Sequence, residues 1–243
     1  MIIEIFFITF FLSAFFSLGG IGSATALIPA MDMLGFSFNF AKAIGLFVNT
    51  ATTITASIMN IKRKVLDFKF ALPLVVSLAI TAPIGAYLSK FIPVEFVKGL
   101  FALFLLLSGS MIFLSKNEIT KEYISPFTLF ILGSLAGVVS GLLGLGGGSI
   151  LLPILMILGF DTKKIAVTMS FVIPFSTFTA FLTYLSFTKM NWLILGVVAI
   201  AAILGGFVGN YIMYFHLNQN QIKKIIAILM YIIAIKMIYS LIF

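Results

Sequence analysis

Eight apolar segments fill almost the whole of this chain, and very little polar sequence is left to connect them. They run near 2–36, 40–60, 70–91 and 95–114, and again near 126–160, 164–187, 191–215 and 220–242. A helix needs roughly 20 apolar residues to cross a hydrocarbon core about 30 Å thick. Of the 243 residues, 62% are hydrophobic and only 9% are charged, against about a quarter charged in a soluble domain. No water-facing surface can be assembled from so few charges. The runs are continuous rather than alternating, which excludes a transmembrane β-barrel. The expected fold is an all-α polytopic membrane protein with lipid as its outer solvent, placed as a multi-pass protein in a prokaryotic plasma membrane. The opening stretch MIIEIFFITFFLSAFF lacks a basic leader and has a counterpart later in the chain, so it is read as part of the mature protein.

The 15 Lys and Arg outnumber the 7 Asp and Glu, giving a formal charge of +8. These cations are scattered between apolar runs rather than gathered on one face, so they are read as loop residues that set orientation and meet lipid headgroups, not as a nucleic-acid surface. There is no Cys and one His, His216. Thiolate chemistry is therefore excluded, and no metal-ligand cluster, Ser/His/Asp constellation or Walker-type loop is legible. No enzyme activity, metal or cofactor is expected. The competing classes are a membrane-embedded enzyme, which lacks its constellation, and a structural subunit, which has no need of the glycine breaks described next.

Displacing the chain by 124 positions places Pro29 on Pro153, Gly20 on Gly144 and Gly22 on Gly146. The same displacement superposes Gly35-Phe36 on Gly159-Phe160, Phe47-Val48 on Phe171-Val172, Thr53 on Thr177, and Gly85 and Tyr87 on Gly209 and Tyr211. Apolar composition alone does not align Gly, Pro and Thr in order over about 80 residues. The expected organisation is a first membrane repeat over 1–114, a charged connector over 115–125 and a second repeat over 126–243, with Pro126 suited to a first helical turn.

The first segment of each half is anomalous. Residues 126–160 would make a straight helix of about 50 Å, well beyond the membrane core. Both copies are broken by glycine, at Leu18-Gly19-Gly20-Ile21-Gly22 and at Gly144-Leu145-Gly146-Gly147-Gly148. Each is either a span followed by a half-helix or a hairpin that enters the membrane and returns. Charge favours the hairpin. With two hairpins, Lys62, Arg63, Lys64, Lys69, Lys116, Lys121, Lys163, Lys164, Lys223 and Lys224 share one side, and only Lys42, Lys90, Lys98, Lys189 and Lys236 lie on the other. Eight full crossings give almost no bias. The hairpin arrangement satisfies the positive-inside tendency and makes the halves inverted, as in many secondary transporters.

Backbone that leaves the helical ladder inside a membrane is tolerated only where protein or a watery cavity receives its polar groups. Short helices starting just after the glycines, at Ser23-Ala24-Thr25 and Ser149-Ile150, would point their N-terminal N–H groups at the break, where negative charge is favoured. Gly20, Gly22, Ser23, Thr25, Gly144, Gly146, Gly147, Gly148 and Ser149 are therefore candidate anion-binding positions. The bland alternative is close helix packing through small residues. A polar stripe on the second segment of each half adds Asn49 and Thr53 with Asn60, and Ser170 and Thr177. Their hydroxyls and amides either face an oxyanion or bond their own helix. Asp32, close after Pro29, is the one acid suited to coupling, or else an interfacial carboxylate. Trp192, Tyr87 and Tyr211 read as interface anchors, and Glu95 with Lys98 as a surface pair.

The motif Gly141-x-x-Gly144-x-Gly146-Gly147-Gly148-x-x-x-x-Pro153, echoed as Gly20-x-Gly22 before Pro29, resembles the TauE/SafE family of sulfite and sulfonate exporters. The resemblance spans nearly the whole chain, although Ser23-Ala24 stands where the second copy has Gly147-Gly148. It implies transport of a small inorganic or organosulfur anion such as sulfite, thiosulfate or a sulfonate. A homodimer is left open as the assembly. An inside-negative potential expels anions by about 2.3 kcal/mol per unit charge per 100 mV, which favours export without an obligatory coupling ion.

Overall fold

The computed structural model describes residues 2–17, 22–114 and 124–242. Gly20, part of the first glycine break, and residues 115–123 of the connector lie outside the described residues. The described residues form ten helices and no strand. They are α1 (Ile2–Ser17), α2 (Ala24–Met33), α3 (Phe38–Lys62), α4 (Phe68–Leu88), α5 (Val94–Leu114), α6 (Pro126–Leu143), α7 (Gly147–Ile157), α8 (Thr162–Leu185), α9 (Trp192–His216) and α10 (Gln219–Ile242). Six of them, α3, α4, α5, α6, α8 and α9, are long and apolar enough to cross a membrane. The starts of α4, α6, α8 and α9 are capped by the side chains of Asp67, Ser125, Asp161 and Asn191, which satisfies N–H groups that have no partner within the helix. Pro126 occupies the first turn of α6.

Each overlong first segment is split where the glycines stand, into α1 and α2 and into α6 and α7. Both pairs fold back. Phe7 of α1 lines a cavity with Met33 and Leu34, so the start of α1 and the end of α2 sit together. In the second pair, Gly133 of α6 abuts Ser77 of α4, and Phe160, just past α7, packs on Phe70 in the first turn of α4, with ring centroids 5.5 Å apart. In each pair the short second helix turns back along the arm that precedes it.

Small residues hold the hairpins. A Cβ at Gly137 would overlap the Thr81 hydroxyl, one at Gly141 the Ala82 carbonyl, and one at Gly85 the Val138 carbonyl. The backbones of α4 and α6 thus touch along parallel paths, the contact that membrane helices use when no hydrophobic effect drives them together. The pair α1 and α9 repeats this 124 residues away: Gly209 abuts the Ala14 carbonyl as Gly85 abuts that of Val138. Ser17 Oγ also donates to the Gly206 carbonyl at 3.1 Å.

The two central helices, α3 and α8, run antiparallel. Phe47 meets Phe181 at 5.1 Å, Thr50 meets Thr177 at 2.7 Å, and Asn60 donates to Ser170 at 3.0 Å. The end of α3 and the start of α8 therefore share a face. There Arg63 stacks on Tyr214 at 4.1 Å and donates to Asn210, Lys163 donates to the Tyr214 carbonyl, and Lys164 pairs with Asp67 at 3.5 Å. On the opposite face, Lys98 pairs with Asp32 at 2.6 Å. The expected Glu95 and Lys98 surface pair is thus replaced by a bond between α5 and the end of α2. Lys42, read from sequence as a loop cation, is instead buried inside α3. Trp192, Tyr87 and Tyr211 are exposed on the outer surface, as anchors should be.

Because the chain has no cysteine, single cysteines at Lys62, Lys164 and Lys90 report these faces directly with a membrane-impermeant thiol reagent. Positions 62 and 164 should label from one side and 90 from the other. Labelling of 62 and 164 from opposite sides would contradict the antiparallel seam.

Candidate functional site

The two glycine breaks come together at the middle of α3. Gly22, Gly144 and Gly146 have φ of +84°, +80° and +83°, a left-handed backbone that side chains resist. These turns end the long arms and aim the short helices. As a result the first turns of α2 and α7 meet end to end, with Thr25 Oγ1 and Ser149 Oγ 3.5 Å apart. The amide of Asn49 lies between the breaks. Its Nδ2 donates to the Leu145 carbonyl at 3.0 Å, and Ser149 Oγ reaches the same carbonyl at 3.2 Å. On the other side, any Cβ at Gly22 would overlap the Asn49 amide. Asn49 is fully buried, and its Oδ1 has no partner among the described residues.

Hydroxyls ring this junction. Ser176 Oγ accepts the Gly147 N–H at 3.2 Å, Thr50 and Thr177 share a 2.7 Å bond, and Ser23 lies 3.4 Å from Thr52. N–H groups at the start of a helix carry partial positive charge, and two such starts facing each other create a neutral-residue environment suited to an anion. Alongside, between α3, α4 and α8, an apolar cleft of about 390 Å³ reaches Thr50 from the lipid-facing side. Its Ile54, Phe171, Pro174 and Phe178 walls suit hydrocarbon rather than an ion.

The other residues singled out from sequence fall elsewhere. Thr53 Oγ1 donates to the Asn49 and Thr50 carbonyls of its own helix. Thr50, rather than Thr53, is therefore the partner of Thr177. Ser170 lies nearer the basic face, bonded to Asn60 and Ser57. Gly148 packs against Ile173, and Gly144 against the Lys42 stem. Asp32 is held by Lys98, away from the breaks. Sequence reasoning missed Lys42, Ser89 and Tyr184. The signal available was a Lys placed seven residues before Asn49, which puts both on one helical face.

A model of the sulfite exporter TauE/SafE family matches residues 5–237. The chain belongs to that family. Among curated proteins, it is 28% identical over 248 residues to the probable membrane transporter protein YunE of Bacillus subtilis, covering 90% of this chain and 89% of that protein. It is also 28% identical over 187 residues to a probable membrane transporter protein of Methanocaldococcus jannaschii, covering 70% of this chain and 67% of the relative. As a TauE/SafE member, the chain is a multi-pass membrane transporter.

Gly146 tests the junction with the smallest change. An added Cβ would stand 2.5 Å from Thr177 Cγ2 and 3.0 Å from Asn49 Nδ2, at a backbone geometry that costs other residues about 1–3 kcal/mol. Gly146→Ala should lower transport and Gly146→Leu abolish it, with the protein still present in the membrane. Normal flux in the leucine variant would assign this glycine to packing alone.

Proposed function

We propose that this chain is a secondary transporter that exports a small sulfur-containing oxyanion, of the class of sulfite, thiosulfate or a sulfonate. The observation that carries the reading is the convergence of the α2 and α7 N-termini on Asn49, with serine and threonine hydroxyls around them and no fixed charge among those contacts. Such a junction stabilises one or two negative charges by oriented dipoles and lets them go again, because no ion pair has to be broken. The ligand-binding set is Gly22, Ser23, Thr25, Asn49, Gly146, Gly147, Ser149 and Thr177. Gly20 is proposed from the sequence pattern alone, and Gly144, Gly148, Thr53 and Ser170 act as supports behind the set. The name of the family, sulfite exporter TauE/SafE, supports both the substrate class and the direction.

On this reading residues 1–114 and 126–243 are two repeats of opposite orientation, joined by the connector at 115–125. The antiparallel α3 and α8, and the matched contacts at Gly85 and Gly209, support it. The basic loops with Lys62, Arg63, Lys64, Lys163 and Lys164 then face the cytoplasm. Alternating access follows from rocking one half against the other about the Asn49 junction, the usual behaviour of inverted repeats. Export needs no coupling ion, since the membrane potential drives anions outward. The ion pair to Lys98 keeps Asp32 engaged and argues against a proton-carrying role.

Two measurements test the reading. Replacing the Asn49 amide by Leu removes hydrogen bonds to a charged ligand, each about 1.5–3 kcal/mol, so Asn49→Leu should lower sulfite flux in proteoliposomes by about tenfold or more. With an imposed potential and no pH or Na⁺ gradient, wild-type efflux should rise as the compartment holding the anion becomes more negative. Flux that ignores potential, follows pH and is lost in Asp32→Asn would replace uncoupled export with proton coupling through Asp32.

A further inference from the structure

Outside the junction, the least expected residue in the molecule is Lys42. Its side chain is 1% exposed, inside α3, in a chain with few charges. Its Nζ donates to Ser89 Oγ at 2.5 Å and lies over the rings of Phe38 and Tyr184, at 5.1 and 5.0 Å. All of these partners are neutral. Lys98, bonded to Asp32 at 2.6 Å, sits over the same Phe38 ring at 5.3 Å. Two lysine side chains thus flank one aromatic ring, and of the two only Lys98 has a carboxylate partner among the described residues. A buried cation is normally paired.

The surroundings tie this cation to the glycine break. Gly144 closes on the Lys42 stem, with room for no Cβ, which would stand 2.7 Å from Cγ. Tyr184, whose ring faces the ammonium, donates to the carbonyls of Gly141 and Leu142 at 3.1 and 3.2 Å, immediately before that turn. Lys42 and Asn49 are seven residues apart on one face of α3, so about 10 Å separates their levels along the helix axis. The position equivalent to Lys42 in the second half is Ala166, which is also buried. The cation therefore stands on one side of the junction only, toward the face opposite the basic loops.

We propose that Lys42 is a second anion station. A small oxyanion that moves from the Asn49 junction toward the face away from the basic loops pairs with Lys42 Nζ in place of Ser89 Oγ. The inference rests on the anion-transport reading above and deepens it by giving the path a charged waypoint on one side. Lys42 acts there by direct contact with the anion, and Ser89 holds the ammonium when the station is empty.

The test measures half-saturating sulfite and thiosulfate concentrations in proteoliposomes, separately from each face. Lys42→Met should raise the value from the Lys42 face by about tenfold and change it little from the basic-loop face, and Lys42→Arg should restore most of the loss. Ser89→Ala frees the ammonium and should lower the value. Ser89→Asp gives Lys42 a built-in counter-charge and should raise it, which keeps the test open if Lys42→Met fails to insert. Unchanged half-saturation from the Lys42 face in Ser89→Asp, or a loss of maximal rate alone and equally from both faces in Lys42→Met, overturns the proposal. A wild-type protein that carries none of these anions defeats the transport reading itself. Wild-type flux with Lys42 variants that saturate normally defeats only the second station.

Discussion

A polypeptide that stops being helical inside lipid leaves N–H and C=O groups that water cannot reach, and everything else in this structure is arranged around that constraint. The second interruption is answered from within the protein. One side chain, the Asn49 amide, bonds the Leu145 carbonyl at the second break and packs against Gly22 at the first. Ser176 takes the Gly147 N–H. Because the breaks meet at Asn49, two half-helices start in the middle of the molecule instead of at its edges. The polar residues of α3 and α8 are buried for this reason, in helices that are otherwise ordinary spans.

Close packing of small residues makes the arrangement stable without charges. Gly85, Gly137, Gly141, Gly205 and Gly209 let backbones meet where any larger residue would overlap a neighbour. The exposed surface is left to Phe, Leu and Ile, which lipid solvates. The ion pairs and cation–aromatic contacts stay near the two faces, where Arg63, Lys163 and Lys164 on one side and Lys98 with Asp32 on the other fix the ends of helices. The middle of the membrane is thereby kept for dipoles and the ends for charges.

Much of this was legible before any coordinates. The broken first segments, the half-helices after Gly22 and Gly146, and the hairpin folding implied by the basic loops all rest on properties that are local or periodic in sequence. Asn49, Thr25 and Ser149 were named because they sit beside the glycines or on a helical stripe. What escaped was the information held in contacts between distant segments. Thr53 and Thr177 occupy matching positions, yet Thr177 bonds Thr50, because the crossing angle and register of α3 on α8 decide partners and no repeat pattern encodes them. Lys42 looked like a loop cation because charge counting assumes that lysines lie in connectors. Its burial depends on Ser89, Tyr184 and Gly144, which lie at the end of α4, on α8 and at the end of α6.

The hairpins have an implication for biosynthesis. Each is packed against a helix of the other half, α1 on α9 and α6 on α4. Ser17 and the carbonyl it bonds, that of Gly206, are 189 residues apart. At about 5–20 residues per second, the ribosome delivers α9 about 10–40 s after α1. During that interval the first hairpin sits in the bilayer with its small-residue face uncovered. The second hairpin, whose partner α4 is already in place, never waits. The nascent first half is therefore the vulnerable species in the life of this protein, and the point at which insertion machinery or a membrane chaperone has the most to shield.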